Sequence, residues 1–255
     1  MALELLTIPC LTDNYAYLIH NTATGETALI DVPEAAPILA ALASKGWTLH
    51  HILITHHHDD HILGVPALVA ATGAKVTGAT ADAHRLPPLD TQVAEGDTLT
   101  ICGEACHIID VSGHSIGHIA FHFPASALVF TADSLMALGC GKLFEGSPAM
   151  AYASLLKLAA LPGDPLVCSG HEYTASNARF AATLEQDNPA LISRIMDVTA
   201  LRAKGLPTVP SRLSLELATN PYLRAHLPSL KTAVGLPTAT DEQVFAAIRA
   251  RKDHF

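Results

Sequence analysis

The chain has 255 residues, 49% hydrophobic and 15% charged, with a formal net charge of −9 and no stripe of Lys and Arg, which argues against a nucleic-acid partner. That composition describes a well-buried globular protein, long enough for one large domain or a domain with an appendage, and excludes a disordered chain. The longest apolar runs stop well short of about 18 residues, so no membrane span is expected.

Residues 1–6 show neither a basic region nor a cleavage site, and the five cysteines, Cys10, Cys102, Cys106, Cys140 and Cys168, are an odd, scattered set. Reduced thiols in a cytoplasmic protein are expected, with Cys102 and Cys106 as an exposed strand pair rather than soft-metal ligands. Residues 14–19 and 26–31 are apolar, β-leaning runs joined by Asn21-Thr22-Ala23-Thr24-Gly25, which predicts a hairpin. Proline near the start and glycine at the end predict a helix over 33–46.

An apolar strand beginning at residue 51 then delivers Thr55-His56-His57-His58-Asp59-Asp60-His61, and an apolar helix is expected over 62–72. Imidazoles and carboxylates gathered in apolar surroundings are costly unless a cation or hydrogen bonds satisfy them. A divalent metal does so. If the strand runs through His58, period-two alternation puts His56 and His58 on one face and turns His57 away. Asp60 and His61, at the corner into the helix, can converge on a second ion.

Short strands separated by Gly, Pro, Asp and Ser follow at 76–77, 98–101, 105–109, 118–123 and 127–130, predicting an antiparallel sheet packed face to face with the first. Strand ends at Val111, Phe130 and Cys168 lead to His114, Asp133 and His171. The end of a sandwich can bring these three to His56, His58, Asp60 and His61. Beyond Glu172 the apolar spacing is helical, over 172–186, 189–204 and 241–252. The expected division is a metal-bearing α/β domain over 1–170 and a helical domain over 171–255.

The motif from Thr55 to Gly64, with His114, Asp133 and His171, resembles the metallo-β-lactamase superfamily, which implies a four-layer αββα sandwich. Four further stretches narrow the resemblance to the hydroxyacylglutathione hydrolase (glyoxalase II) family. They are Gly139-Cys140-Gly141-Lys142-Leu143-Phe144-Glu145-Gly146, Gly170-His171-Glu172-Tyr173-Thr174, and Thr219-Asn220-Pro221-Tyr222-Leu223-Arg224 together with the C-terminal residues 248–255. The resemblance implies one metal on His56, His58 and His114, a second on Asp60, His61 and His171, and Asp133 bridging them. Zinc suits such a mixed N/O set, as do iron and manganese. It also implies glutathione contacts from Lys142, Tyr173, Arg249 and Lys252, with Phe144 where the family often has tyrosine.

The implied activity is hydrolysis of S-D-lactoylglutathione and related 2-hydroxyacyl thioesters to glutathione and D-lactate by a metal-bridging hydroxide, the second step of methylglyoxal detoxification. Asp60 and Asp133 are the candidate catalytic groups, in a monomer without membrane or nucleic-acid partners. Two alternatives stay open on sequence: a mononuclear iron dioxygenase or lactonase of the same superfamily, and a metal-binding protein without turnover.

Overall fold

The apolar run and turn residues of 14–30 form the expected hairpin, and around it a six-stranded sheet is built. In the computed structural model, which describes residues 2–255, β1 (Glu4–Cys10), β2 (Asn14–His20), β3 (Thr27–Ile30), β4 (His51–Leu53), β5 (Lys75–Ala79) and β6 (Thr91–Val93) lie side by side in that order. The β1–β2–β3 pairings are antiparallel and those from β3 to β6 parallel. Parallel neighbours need crossovers. Helix α1 (Ala35–Lys45) supplies the first, and α2 (Asp59–Ile62) with α3 (Val65–Thr72) the second.

Every residue of β2 is buried, as a strand covered on both faces must be. On one face Leu18, Leu29, Ile52 and Val76 join Ile38 and Leu42 of α1 and Val65 and Leu68 of α3 in one core. On the other, Tyr17 meets Phe130 at a centroid distance of 5.6 Å. Phe130 belongs to a second, antiparallel sheet of β7 (Thr98–Ile101), β8 (Glu104–Asp110), β9 (Ile119–Phe123) and β10 (Leu128–Ala132). The face-to-face packing of two sheets is thus as the sequence predicts.

These elements make one compact unit, which comprises the chain up to Val111 and Ile116–Thr131; the second unit is Ser112–Ser115 with Ala132–Phe255. The second holds the β11 (Leu135–Met136) and β12 (Gly139–Cys140) hairpin, α4 (Pro148–Ala159), and β13 (Leu166–Ser169) paired antiparallel with β14 (Ser211–Arg212). Helices α5 (Thr174–Leu184), α6 (Pro189–Ala203), α7 (Leu213–Thr219), α8 (Pro228–Ala233) and α9 (Asp241–Asp253) complete it. Local chemistry sets their starts. Ser147 and Asn188 cap α4 and α6 ahead of a proline, and Thr240 and Gln243 form a reciprocal capping box on α9.

Several expectations are corrected. The strand carrying the histidines stops at Leu53, because Thr55 bonds to Asp31 rather than continuing the ladder. The helix expected over 62–72 begins at Val65, after a separate turn over 59–62. Val32 N donates to His61 O and Gly64 N to Val32 O, which pulls the chain out of helical register. A Cβ on Gly64 would lie 2.8 Å from both Ala35 N and Val32 Cγ1, so only glycine allows that approach. Helix α4 and strand β14 are absent from the sequence reading. Cys102 and Cys106 are fully buried instead of exposed. Among the described residues no helix is long and apolar enough to cross a membrane.

All five cysteines are free and buried. Burial pushes the Cys10 and Cys140 thiols up to about 11 and Cys102 up to about 12, and it raises Cys106 and Cys168 as well. A raised pKa means less thiolate, and the thiolate is the reactive form. Native protein treated with iodoacetamide at pH 8 is therefore expected to stay unmodified by mass over a period in which urea-denatured protein takes up five labels; fast native labelling would contradict this burial.

Candidate metal centre

In the first unit the chain leaves β4 at Leu53, and Thr55, His56 and His61 are fully buried. Asp31, at the end of β3, organises them. Its Oδ1 accepts from Thr55 N at 2.9 Å, and its Oδ2 accepts from Thr55 Oγ1 and faces His61 Nδ1, both at 2.8 Å. Because the Thr55 hydroxyl donates to Asp31, it is left to accept from His56 Nδ1, 2.9 Å away. Both Nδ1 atoms therefore carry the proton, and both Nε2 atoms present lone pairs.

Those lone pairs converge on further donors of the same unit. His56 Nε2 lies 3.1 Å from His58 Nδ1, and the His56 and His61 rings are 4.3 Å apart. The ligand atoms of Asp31, His56 and His61 fall within 4.8 Å of one another, but the Asp31 carboxylate is already committed to orienting its neighbours. Asp60 is steered by Asn14, whose Nδ2 donates to both Asp60 O and Oδ2 at 3.0 Å. His57 points elsewhere, to Asp82 at 3.0 Å, although the strand whose alternation would turn it away ends at Leu53. His118 stacks on His56 at 4.5 Å.

The second unit repeats this logic. Asp133 follows Ala132, which has φ +40°, and Gly170 N donates to Ala132 O at 3.0 Å, which brings His171 beside Asp133. Asp133 Oδ2 lies 3.2 Å from His171 Nε2 and 3.4 Å from His114 Nε2. His114 Nδ1 is 2.7 Å from Lys142 O, which can only accept, so Nδ1 holds the proton. A lone pair on His114 Nε2 then faces a carboxylate oxygen. Two acceptors held face to face in a buried site call for a cation between them. The side chains therefore fit a divalent metal, and His56, His61 and His114 are each oriented through Nδ1, as metal-bound histidines are through their second nitrogen. A Cβ on Gly141 would sit 2.0 Å from Asp133 O and 2.9 Å from His114 Nδ1, so this contact requires glycine.

The expected substrate contacts also fall in the second unit. Tyr173 stacks on His171 at 4.7 Å with the rings 7° apart, and Phe144, 60% exposed, meets His114 edge-on at 5.3 Å. Lys142 Nζ lies over the Phe144 ring at 5.5 Å. Lys252 Nζ reaches Ser176 Oγ at 3.3 Å between the Phe180 and Phe255 rings, and burial followed by the Arg249 and Arg179 cations pushes its pKa down. Arg249 turns inward: its Nη1 donates to Cys140 O and its Nη2 to Asp253, each at 2.9 Å.

The orienting groups Asp31, Asn14 and Thr55 are absent from the sequence reading. Asp31 was accessible to it. It ends an apolar β-run as Asp133 and His171 follow theirs.

Residues 12–171 match the family profile described as metallo-beta-lactamase superfamily, and residues 172–255 match the one described as hydroxyacylglutathione hydrolase C-terminus. Solved structures with this fold include ETHE1 from Myxococcus xanthus, TM-score 0.66 at 24% identity, covering 99% of this chain and 98% of that one. Another is TTHA1623 in a di-iron-bound form, TM-score 0.63 at 26% identity, covering 86% of this chain and 100% of that one. The mixed α/β architecture and the His/Asp sets thus define a member of the metallo-β-lactamase superfamily.

Relatives carry the placement further. Proteins named hydroxyacylglutathione hydrolase from Cereibacter sphaeroides and from Jannaschia sp. are 62% and 64% identical, over 100% of both chains and over 99% of this chain and 98% of the relative, respectively. The chain belongs to the hydroxyacylglutathione hydrolase family.

Replacing Asp31 by Asn keeps the shape but turns one acceptor into a donor facing a donor. Asp31→Asn is expected to weaken metal retention in a chelator competition by about 10- to 100-fold, the usual cost of losing a group that orients a ligand. Wild-type retention in a folded variant would reduce Asp31 to a packing residue.

Proposed function

We propose that this chain hydrolyses S-(2-hydroxyacyl)glutathione, S-D-lactoylglutathione above all, to glutathione and D-lactate, the second step of methylglyoxal detoxification. The observation that carries this reading is the Asp133 carboxylate facing the Nε2 atoms of His114 and His171, with the His114 Nδ1 proton engaged by Lys142 O. In it, His56, His58 and His114 hold one divalent ion, Asp60, His61 and His171 hold a second, and Asp133 is shared. Zinc is the first choice for this N/O set, with iron or manganese as substitutes. The di-iron form of TTHA1623 supports keeping iron among them.

When bound, two such ions make water acidic enough to attack at neutral pH and draw negative charge from a polarised carbonyl. The chain's own residues do the rest. Asp60, steered by Asn14, orients the attacking water or accepts its proton, and Asp133 fixes His114 and His171 relative to each other. Glutathione is anionic and the protein carries −9, so the thiol moiety needs a local excess of positive charge. Lys142, Lys252 and Arg249 supply it, with Tyr173 beside His171. The Lys252 pKa, depressed first by burial and then by the Arg249 and Arg179 cations, supports this, because a bound anion offsets both the lost solvation and the repulsion.

In this reading residues 1–170 form the metal-bearing domain and 171–255 the helical domain that contributes to glutathione binding. The protein acts as a monomer in the cytoplasm, a reducing compartment that suits five free cysteines.

Zinc-loaded protein given S-D-lactoylglutathione is expected to abolish the thioester absorbance with two ions per chain and no oxygen uptake. One iron per chain with oxygen consumption, or an intact thioester over fully loaded protein, would overturn the proposal. Lys252→Ala is expected to raise KM about 10- to 100-fold, the range for a hydrogen bond to a charged group. Arg249→Ala should in addition lower the melting temperature, because Arg249 also holds Cys140 O; unchanged kinetics in both variants would remove the proposed thiol site.

Phe144 offers no hydroxyl where the family often has one. Phe144→Tyr is expected to lower KM several-fold, roughly 1 kcal/mol for one added hydrogen bond, with kcat little changed. An unaltered KM would show that the ring at 144 does not border the glutathione backbone.

A further inference from the structure

The Thr219-Asn220-Pro221-Tyr222-Leu223-Arg224 motif has no part in the chemistry proposed so far, yet its asparagine is fully buried and bonds to a segment some 80 positions earlier. Asn220 Nδ2 donates to Met136 O at 3.1 Å and to Gly139 O at 2.9 Å. Between them, Ala137 O accepts from Asn177 Nδ2 at 3.1 Å, and Leu138 N donates to Glu216 Oε2 at 2.9 Å. One residue further on, Cys140 O accepts from Arg249.

This is the β11–β12 hairpin, whose strands are two residues each. A ladder that short cannot satisfy its own backbone or fix its own position. Side chains from the C-terminal helices do both. Glu216, itself fully buried, anchors the grip: it pairs with Arg194, accepts from Ser211 Oγ at 2.5 Å, and faces Asn220 Nδ2 at 3.1 Å. A buried ion pair contributes little net stability over an apolar one, but here it fixes the Glu216 carboxylate that Leu138 N and Asn220 Nδ2 meet.

What the hairpin positions is two residues beyond it. Lys142 O takes the His114 Nδ1 proton, and Gly141 threads between Asp133 and His114 where no side chain fits. We infer that Asn220, seated by Glu216 and Arg194, is a positioning residue for His114. By fixing the hairpin it keeps the Lys142 carbonyl on Nδ1 and Nε2 turned to Asp133. The C-terminal helices thereby build the metal site as well as the thiol site. This rests on the proposed function only in taking His114 as a metal ligand.

The test compares Asn220→Ala and the milder Asn177→Ala with Glu185→Gln. The last breaks the Arg224–Glu185 pair, 2.7 Å apart, which touches no part of the hairpin. All three are expected to melt at lower temperature. In zinc competition with a chromophoric chelator, Asn220→Ala is expected to lose one of two ions at roughly 10- to 100-fold weaker affinity, Asn177→Ala to shift less in the same direction, and Glu185→Gln to match wild type. With cobalt in place of zinc, the visible spectrum should change in the first two only, and kcat should fall more than KM.

Folded Asn220→Ala and Asn177→Ala proteins that hold both ions like wild type would overturn the inference and leave a purely structural role. Should Asn220→Ala fail to fold, Asn177→Ala decides alone. A wild-type chain that binds two ions and leaves the thioester intact would overturn the hydrolase reading without touching this one.

Discussion

The structure turns on where three imidazole protons go. His61 gives its Nδ1 proton to Asp31, His56 gives its own to the Thr55 hydroxyl, and His114 gives its own to the Lys142 carbonyl. Each choice leaves a lone pair on Nε2. Neutral histidine offers one donor and one acceptor, so the partner of one nitrogen decides the chemistry of the other. Lone pairs aimed at carboxylate oxygens are unfavourable in a dry pocket and favourable around a cation. A site assembled this way is organised before any metal arrives.

Holding those partners makes demands on the backbone that ordinary sheet and helix do not meet. Asp31 adopts φ +57°, a left-handed conformation costly for a residue with a Cβ, at the end of a buried strand. Three hydrogen bonds to its carboxylate, from Thr55 N, Thr55 Oγ1 and His61 Nδ1, offset that cost. Gly64 and Gly141 serve the same end by allowing backbone contacts that any Cβ would block, one beside Val32 and one beside Asp133. Asp31, Gly64 and Gly141 thus meet backbone demands made by the delivery of the candidate ligands.

The candidate ligands stand out in the sequence because their chemistry is local: His-x-His-x-Asp-His after an apolar strand has few meanings, and His114, Asp133 and His171 each follow a strand end. The sheets were legible from alternation and turn residues. What the sequence could not display was long-range bonding. The strand stops at Leu53 because Thr55 answers to Asp31, 24 positions earlier, and periodicity carries no sign of that. Cys102 and Cys106 are expected as an exposed pair from their place in short strands, whereas both are buried and Asn21 reaches across to bond Cys102 O. The hairpin before Lys142 is shorter than any pattern detects, and its supports lie 40 to 109 positions away.

Charge poses the remaining problem, since a chain of net charge −9 is proposed to capture an anion. Net charge sets the far field, but within a few ångströms of a partly buried cation the local arrangement prevails, and salt screens the rest over roughly 8–10 Å. Arg249 and Lys252 lie one helical turn apart on α9 and divide the work. Arg249 is 8% exposed and committed to Cys140 and Asp253, so it braces the loop that leads to Lys142. Lys252 is only half-buried, and its pKa is depressed by burial and by Arg249 and Arg179. A cation strained in that way binds an anion more strongly than its solvated equivalent, because the anion removes the repulsion that its neighbours impose. The inward arginine therefore serves the outward lysine, and neither replaces the other.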